Sequence, residues 1–138
     1  MITDFYVGTV GDAKDIIGGG TSLRPALSTG NADNSVLAEL WAALDPEADV
    51  SSLAGEGCIV ASGDGGPWVF ELPKVLVVKL ADLSDAAAPQ ICDAWARGAE
   101  MSYHGVTGPD LAKPLSDLRD VARQVGAASK SMLLFMAI

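Results

Sequence analysis

A chain of 138 residues has room for one compact domain, read here as 1–138, and its 49% apolar and 20% charged content lies far from the composition of disordered chains. A formal net charge of −9 excludes nucleic acid as a natural ligand, because phosphate backbones require Lys and Arg. No apolar run reaches the roughly 18 residues of a membrane span, so no membrane partner is expected.

The opening "ITDFYVGTV" is rich in β-branched and aromatic residues and reads as a strand ending at Gly11. Asp4 stands where a signal peptide has a basic start and a long apolar centre, so export by that route is not expected and the cytoplasm is. Gly18 to Asn34 then reads as a long turn-rich connection holding three consecutive glycines, Pro25 and Gly30. From Asn34, taken as the cap, Val36, Leu37, Leu40, Trp41 and Leu44 recur at helical spacing with Glu39 on the opposite side, until Pro46 stops the helix. A polar loop follows to Glu56.

"CIVAS", "GDGG" and "PWVFEL" have the form of a β-hairpin. "KVLVVKLADL" fits either a strand, by its valines, or a helix, by Leu76, Leu80 and Leu83. Ser84 or Asp85 caps a helix running to about Arg97, with Pro89 in its first turns and Asp93 pointing away from the core side. Thr107 and Asp110 in "TGPD" match a capping box ahead of a stripe formed by Leu111, Leu115, Leu118, Ala122 and Val125. Pro114 either delays the regular helix to that point or kinks it, and Gly126 or the following "AAS" ends it. The last strand begins near Ser131, its eight residues "SMLLFMAI" being of the length of a buried strand. The expected class is α+β, with three or so helices packed on a small mixed sheet, a central hairpin and a C-terminal strand.

Catalytic constellations are sparse. The glycines Gly18 to Gly20 lack the lysine of a P-loop and the spacing of a dinucleotide-binding turn, so they read as a flexible loop and Arg24 as a surface charge. His104 is the single histidine, without a Ser or Cys assignable to it, and reads as a loop residue. With one histidine and no Cys pair, no metal site and no cofactor are expected. Asp45, Glu47 and Asp49 lack the pattern of a calcium loop and read as solvated. Cys58 and Cys92 sit in apolar sequence without metal-ligand spacing and read as buried thiols of a reducing compartment. Trp41, Trp68 and Trp95 fall in apolar periodic segments, with Trp68, just after a tight turn, also placed to serve as an exposed anchor.

Charge carries more information than any motif. Through Leu72 there are eleven acidic residues against Lys14 and Arg24, whereas from Pro73 onward there are seven of each sign. The whole net charge therefore belongs to the first half, and a field of one sign favours steered association with a basic partner.

The strings "LPKVLVVKLADL", "ICDAWARGAE" and "DLAKPLSDLRDVARQVGAASKSMLLFMAI" resemble the C-terminal part of small bacterial proteins of the immunity class, encoded beside secreted toxins. The resemblance covers roughly residues 72 to 138 and rests on structural leucines and alanines, so no functional residue transfers from it. It implies a non-enzymatic antidote that binds a cognate toxin or effector domain and occludes its site. Joined to the charge pattern, it makes Asp45, Glu47, Asp49, Glu56, Asp64 and Trp68 the expected partner-binding residues. The alternative is a small enzyme or ligand-binding protein using the Gly18 to Ser22 loop with Arg24 and His104 in one pocket. A third class is a module that self-associates through an exposed strand edge.

Overall fold

The computed structural model describes residues 1–53 and 58–138. It has an α+β architecture in which one five-stranded sheet carries helices on both faces. In chain order these are β1 (Ile2–Gly8), α1 (Ala13–Gly18), β2 (Leu27–Thr29), α2 (Asn34–Leu44), β3 (Cys58–Ala61), β4 (Trp68–Glu71), α3 (Lys74–Ala81), α4 (Ala88–Ala96), α5 (Ala99–Tyr103), α6 (Ala112–Ala128) and β5 (Ser131–Ala137). Three short 3-10 turns lie between them, at Val10–Asp12, Val50–Leu53 and Pro109–Leu111. The described residues thus form six α-helices rather than about three.

The sheet is antiparallel at every pairing, not mixed, with order β2-β1-β5-β4-β3. β5 threads between β1 and β4, so that Ile2 faces Ala137, Gly8 faces Ser131 and Trp68 faces Met136. This central position explains why "SMLLFMAI" is apolar without alternation, since both faces of the strand are covered. Met132 and Leu134 enter the main core with Phe5, Phe70 and residues of α2, α3, α4 and α6. Leu133, between them in sequence, enters a smaller core on the opposite face with Tyr6, Val69 and two residues of α1, Ala13 and Ile16.

Several boundaries depart from the sequence reading. β1 ends at Gly8, three residues early, because Thr9 and Asp12 turn the chain: Asp12 Oδ2 accepts from Thr9 N at 2.8 Å and Thr9 Oγ1 at 3.0 Å. The glycine-rich connection is shorter than expected. Gly18 is the last residue of α1, and β2 interrupts the remainder by pairing with Thr3, Asp4 and Phe5. Gly19 takes φ 73° while Gly19 N donates to Ile16 O and Gly20 N to Asp15 O, the paired bonds of a Schellman ending. The cap of α2 is Asp33, whose Oδ1 accepts from Val36 N at 3.0 Å, and Asn34 is the first helical residue.

"KVLVVKLADL" folds as helix α3. Leu76 and Leu80 are fully buried, with Val77 and Leu83 nearly so, while Val75 and Val78 are exposed, which is a helical and not an alternating pattern. The valines do not decide, because intrinsic preference is weaker than packing of an apolar stripe. Arginines of α6 fix its end: Arg123 donates to Ala81 O and Leu83 O, and Arg119 to Leu83 O. Asp110 Oδ2 accepts from Thr107 N and Thr107 Oγ1, both at 2.9 Å, repeating the Thr9–Asp12 arrangement ahead of a 3-10 turn. The regular helix α6 starts at Ala112, so Pro114 neither delays nor kinks it. Pro114 is the third helical residue, where the amide hydrogen has no partner within the helix in any case.

α5 and α6 end with the same paired bonds as α1: Gly105 N to Ser102 O with Val106 N to Met101 O, and Ser129 N to Gly126 O with Lys130 N to Val125 O. Gly105 has φ 68°, but the corresponding residue after α6 is Ser129 at φ 54°. A side chain in the left-handed region costs on the order of 1 kcal/mol, and glycine removes that cost at the expense of a more flexible unfolded chain. Ser129→Gly is therefore expected to raise unfolding stability by about 0.5–1 kcal/mol, read as a higher urea midpoint at unchanged m. An unchanged or lower midpoint refutes the assignment of strain at this site.

Candidate functional site

The acidic residues expected to meet a partner fall on two connections. Asp45, Glu47 and Asp49 lie between α2 and the 3-10 turn at Val50–Leu53. Asp45 Oδ1 accepts from Glu47 N and Asp49 Oδ1 from Ser51 N, both at 3.2 Å, so two aspartates shape their own loop by side-chain turns. Ala48 and Val50 pack against the main core and anchor this loop, leaving Glu47 and Asp49 exposed. Asp64 is exposed in the β3–β4 turn, which Ser62 N closes on Pro67 O at 3.0 Å. Glu56 lies outside the described residues.

Trp68 opens β4 half-buried, packed against the main core on the helical side of the sheet. Its ring also covers the hairpin turn so closely that a Cβ on Gly66 would lie 2.6 Å from ring carbons. Trp41 and Trp95 are buried, and Trp95 Nε1 donates to Val36 O at 3.2 Å, joining α4 to α2.

Other carboxylates of the first half have structural duties. Asp12 holds Thr9, Asp33 caps α2, Glu71 Oε2 accepts from Ser131 Oγ at 2.7 Å, and Glu39 reaches across to α5. Both Glu39 oxygens receive Glu100 N, at 3.0 and 3.2 Å, in the first turn of that helix. Gly98 permits this approach, since a Cβ there would sit 2.6 Å from Glu39 Oε2. None of these contacts is an ion pair. The two salt bridges among the described residues, Lys113–Asp117 and Arg119–Asp85, both belong to the second half.

Among the described residues, the groove lined by His104 includes neither the glycine loop nor Arg24. Gly18 to Gly20 complete the end of α1. Arg24 is exposed and acts electrostatically on Tyr6, on the α1 side of the sheet. His104, exposed at the end of α5 and edge-on to Tyr103, lines a groove with Asn31, Asp33 and Glu100 that Arg24 does not reach.

A groove of about 420 Å³ between α4 and α6 was not legible in the sequence, because its polar groups Asp85, Asp93, Ser116 and Arg119 come from separate segments. Cys92 is on its wall, and burial, then the neighbouring Asp93 charge, pushes its thiol pKa up, which makes it a poor nucleophile. Cys58 is partly buried against the main core rather than fully enclosed, and both cysteines are free. Among the described residues no three His, Cys, Asp or Glu side chains are grouped as metal ligands, and no helix is long and apolar enough to cross a membrane. No protein-family model matches the chain, and no curated protein or solved structure matches it either.

Two outcomes are expected from these carboxylates. Glu39→Ala removes the acceptor for Glu100 N and should lower stability by about 1 kcal/mol, whereas Glu39→Gln keeps one acceptor oxygen and should lose less than half of that. Equal losses in urea unfolding contradict the capping role. The carboxyls of Asp12 and Asp110 are held below the ordinary value of 3.8 by hydrogen bonds, first from the backbone N–H and then from the hydroxyl of Thr9 and Thr107 respectively. A folded pKa below the unfolded one stabilises the fold above about pH 3.8 and loses that contribution as the pH falls through the folded value. An Asp12→Asn, Asp110→Asn variant should accordingly show a shallower loss of thermal midpoint between pH 4 and pH 2, about the range below the unfolded carboxyl value. An identical slope refutes the assignment.

Proposed function

We propose that this protein is a non-enzymatic inhibitor of the immunity type, acting in the bacterial cytoplasm, whose acidic first half docks on a basic, enzymatic protein domain and occludes its site. The observation that supports this reading is the unneutralised charge: both ion pairs among the described residues lie in the second half, while the first half holds eleven acids against two bases. A field of one sign raises encounter rates with a basic surface and repels nucleic acid.

Within that half the structural carboxylates Asp12, Asp33, Glu39 and Glu71 serve the fold as well as the field. Asp45, Glu47, Asp49 and Asp64 are the residues whose loops are free to meet a partner, with Glu56 beside them in sequence. Trp68 covers the same hairpin turn at Gly66 with its ring. Steric occlusion with charge complementarity requires no catalytic group on this chain.

The test is capture of a partner from the cell of origin at low salt, followed by association kinetics of that complex. Glu47→Lys with Asp64→Lys is expected to slow association by about tenfold at low ionic strength and to flatten its salt dependence. Dissociation should change by less than about twofold, since exposed rim charges act through long-range steering that salt of about 0.15 M screens beyond roughly 8 Å. Both side chains are exposed and neither is hydrogen-bonded among the described residues, so the variant should fold normally. An unchanged on-rate places the interface elsewhere, and failure to capture any partner at low and physiological salt overturns the proposal.

A further inference from the structure

The cations of this acidic chain are not spread evenly over its grooves. A groove of about 330 Å³ runs between α3 and α6 to the start of β5, with apolar walls that include Val77, Val78, Ala122 and Val125. Lys74 and Lys130 stand on its rim, and no carboxylate lines it. Four other grooves each carry at least one: Asp117, Asp85 with Asp93, Asp33 with Glu100, and Asp117 with Asp120. Among these five grooves of the described residues it alone has cations and no carboxylate on its walls, in a chain with eighteen acidic and nine basic residues.

Three further observations bear on the same surface. Neither lysine takes part in the ion pairs of the described residues, whereas Lys113 and Arg119 do. Val78 within the groove and Val75 one turn earlier on α3 each leave 55% of their surface in water, and Lys79 is exposed beside them. The first turn of α3 has no side-chain cap and no acidic residue, so its positive dipole end adds to the lysine charges.

We infer that the α3–α6 groove is a docking site for an acidic amphipathic segment of a partner protein, an apolar stripe filling the groove and flanking carboxylates meeting Lys74 and Lys130. Charge complementarity selects this occupant. A basic segment would meet the like charge of Lys74 and of Lys130, the latter offset in part by Asp12 and by Glu71 on Ser131, and a neutral apolar one would draw no attraction from either exposed ammonium group. Residues at i, i+3, i+4 and i+7 of a docked helix suit such a groove, with Val75 and Val78 extending its apolar contact. The inference does not rest on the acidic-surface reading, which concerns the opposite charge and the other half of the chain.

The probe is a synthetic helical peptide of about four turns with leucine at i, i+3, i+4 and i+7 and glutamate elsewhere, compared with the same peptide carrying lysine for glutamate. Titrated into the full chain by NMR, the acidic peptide should give amide shifts centred on Val75, Val78, Gly126, Ser129 and Lys130 at a concentration at least about tenfold lower than the basic one does, the basic peptide being drawn instead to the acidic first half. Lys74→Glu with Lys130→Glu should reverse the preference; both sites are exposed, and a carboxylate at the start of α3 suits its dipole, so folding should survive. Lys74→Gln with Lys130→Gln provides a second variant, expected to abolish the difference between the peptides. Equal responses of the groove amides to the two peptides in the unaltered chain, acidic-peptide shifts centred elsewhere, or shifts that depend on protein concentration without peptide each overturn the inference.

Discussion

The pairing of β5 with β1 and β4 is the constraint on which the rest of the molecule depends. β5 contributes Met132 and Leu134 to one core and Leu133 to the other, so a single strand supplies apolar surface to both faces of the sheet. Shifting its register by one residue would exchange these sets and place methionines sized for the helical side against α1. Around this strand the remaining elements divide by size. The long stripes of α2 and α6 fill the helical side, where Trp95 also ties α4 to the first turn of α2. Among the described residues the other face is covered by the six residues of α1 and part of the following loop.

Polar residues secure the ends that apolar packing leaves open. Thr9 with Asp12 and Thr107 with Asp110 prepare two 3-10 turns, Asp33 starts α2, and Glu39 starts α5 from a different helix. The arginines of α6 close α3 by donating to Ala81 O, the carbonyl of its last residue, and to Leu83 O just beyond it. Much of the charge in this chain is thus committed to local geometry, and the same carboxylates still contribute their negative field. Structural duty and steering are compatible because a carboxylate that receives backbone N–H groups remains ionised.

Features set by a local pattern could be read directly. The stripe of α2, the Thr107–Asp110 box, the hairpin and the start of the last strand all follow from spacings within about a dozen residues. What depends on distant partners could not. β2 has three residues and exists because Thr3, Asp4 and Phe5 offer it an edge. α1 is too short to show periodicity, although Asp12 ahead of Ala13, Ile16 and Ile17, with glycine after them, was an available signal. The helix–strand ambiguity of residues 74 to 83 was settled by the core that receives Leu76 and Leu80. The expected site residues lie on two connections whose relation to a partner is beyond any intrachain pattern, and the grooves beside α6 draw their walls from segments scattered along the chain.

Threading a strand between two others also shapes the route by which the sheet is built. β3 with β4 can form as a hairpin and the helices from local contacts, but β1 meets β5 only when Ile2 closes on Ala137 across nearly the whole chain. The entropy of closing so large a loop must be met before those contacts reward it, which slows folding relative to chains with local topology. Until then β1 and β4 each present an open backbone edge beside apolar side chains. The period before β5 inserts is therefore the interval in which newly made chains are most prone to pair with one another, and chaperone demand should be greatest there.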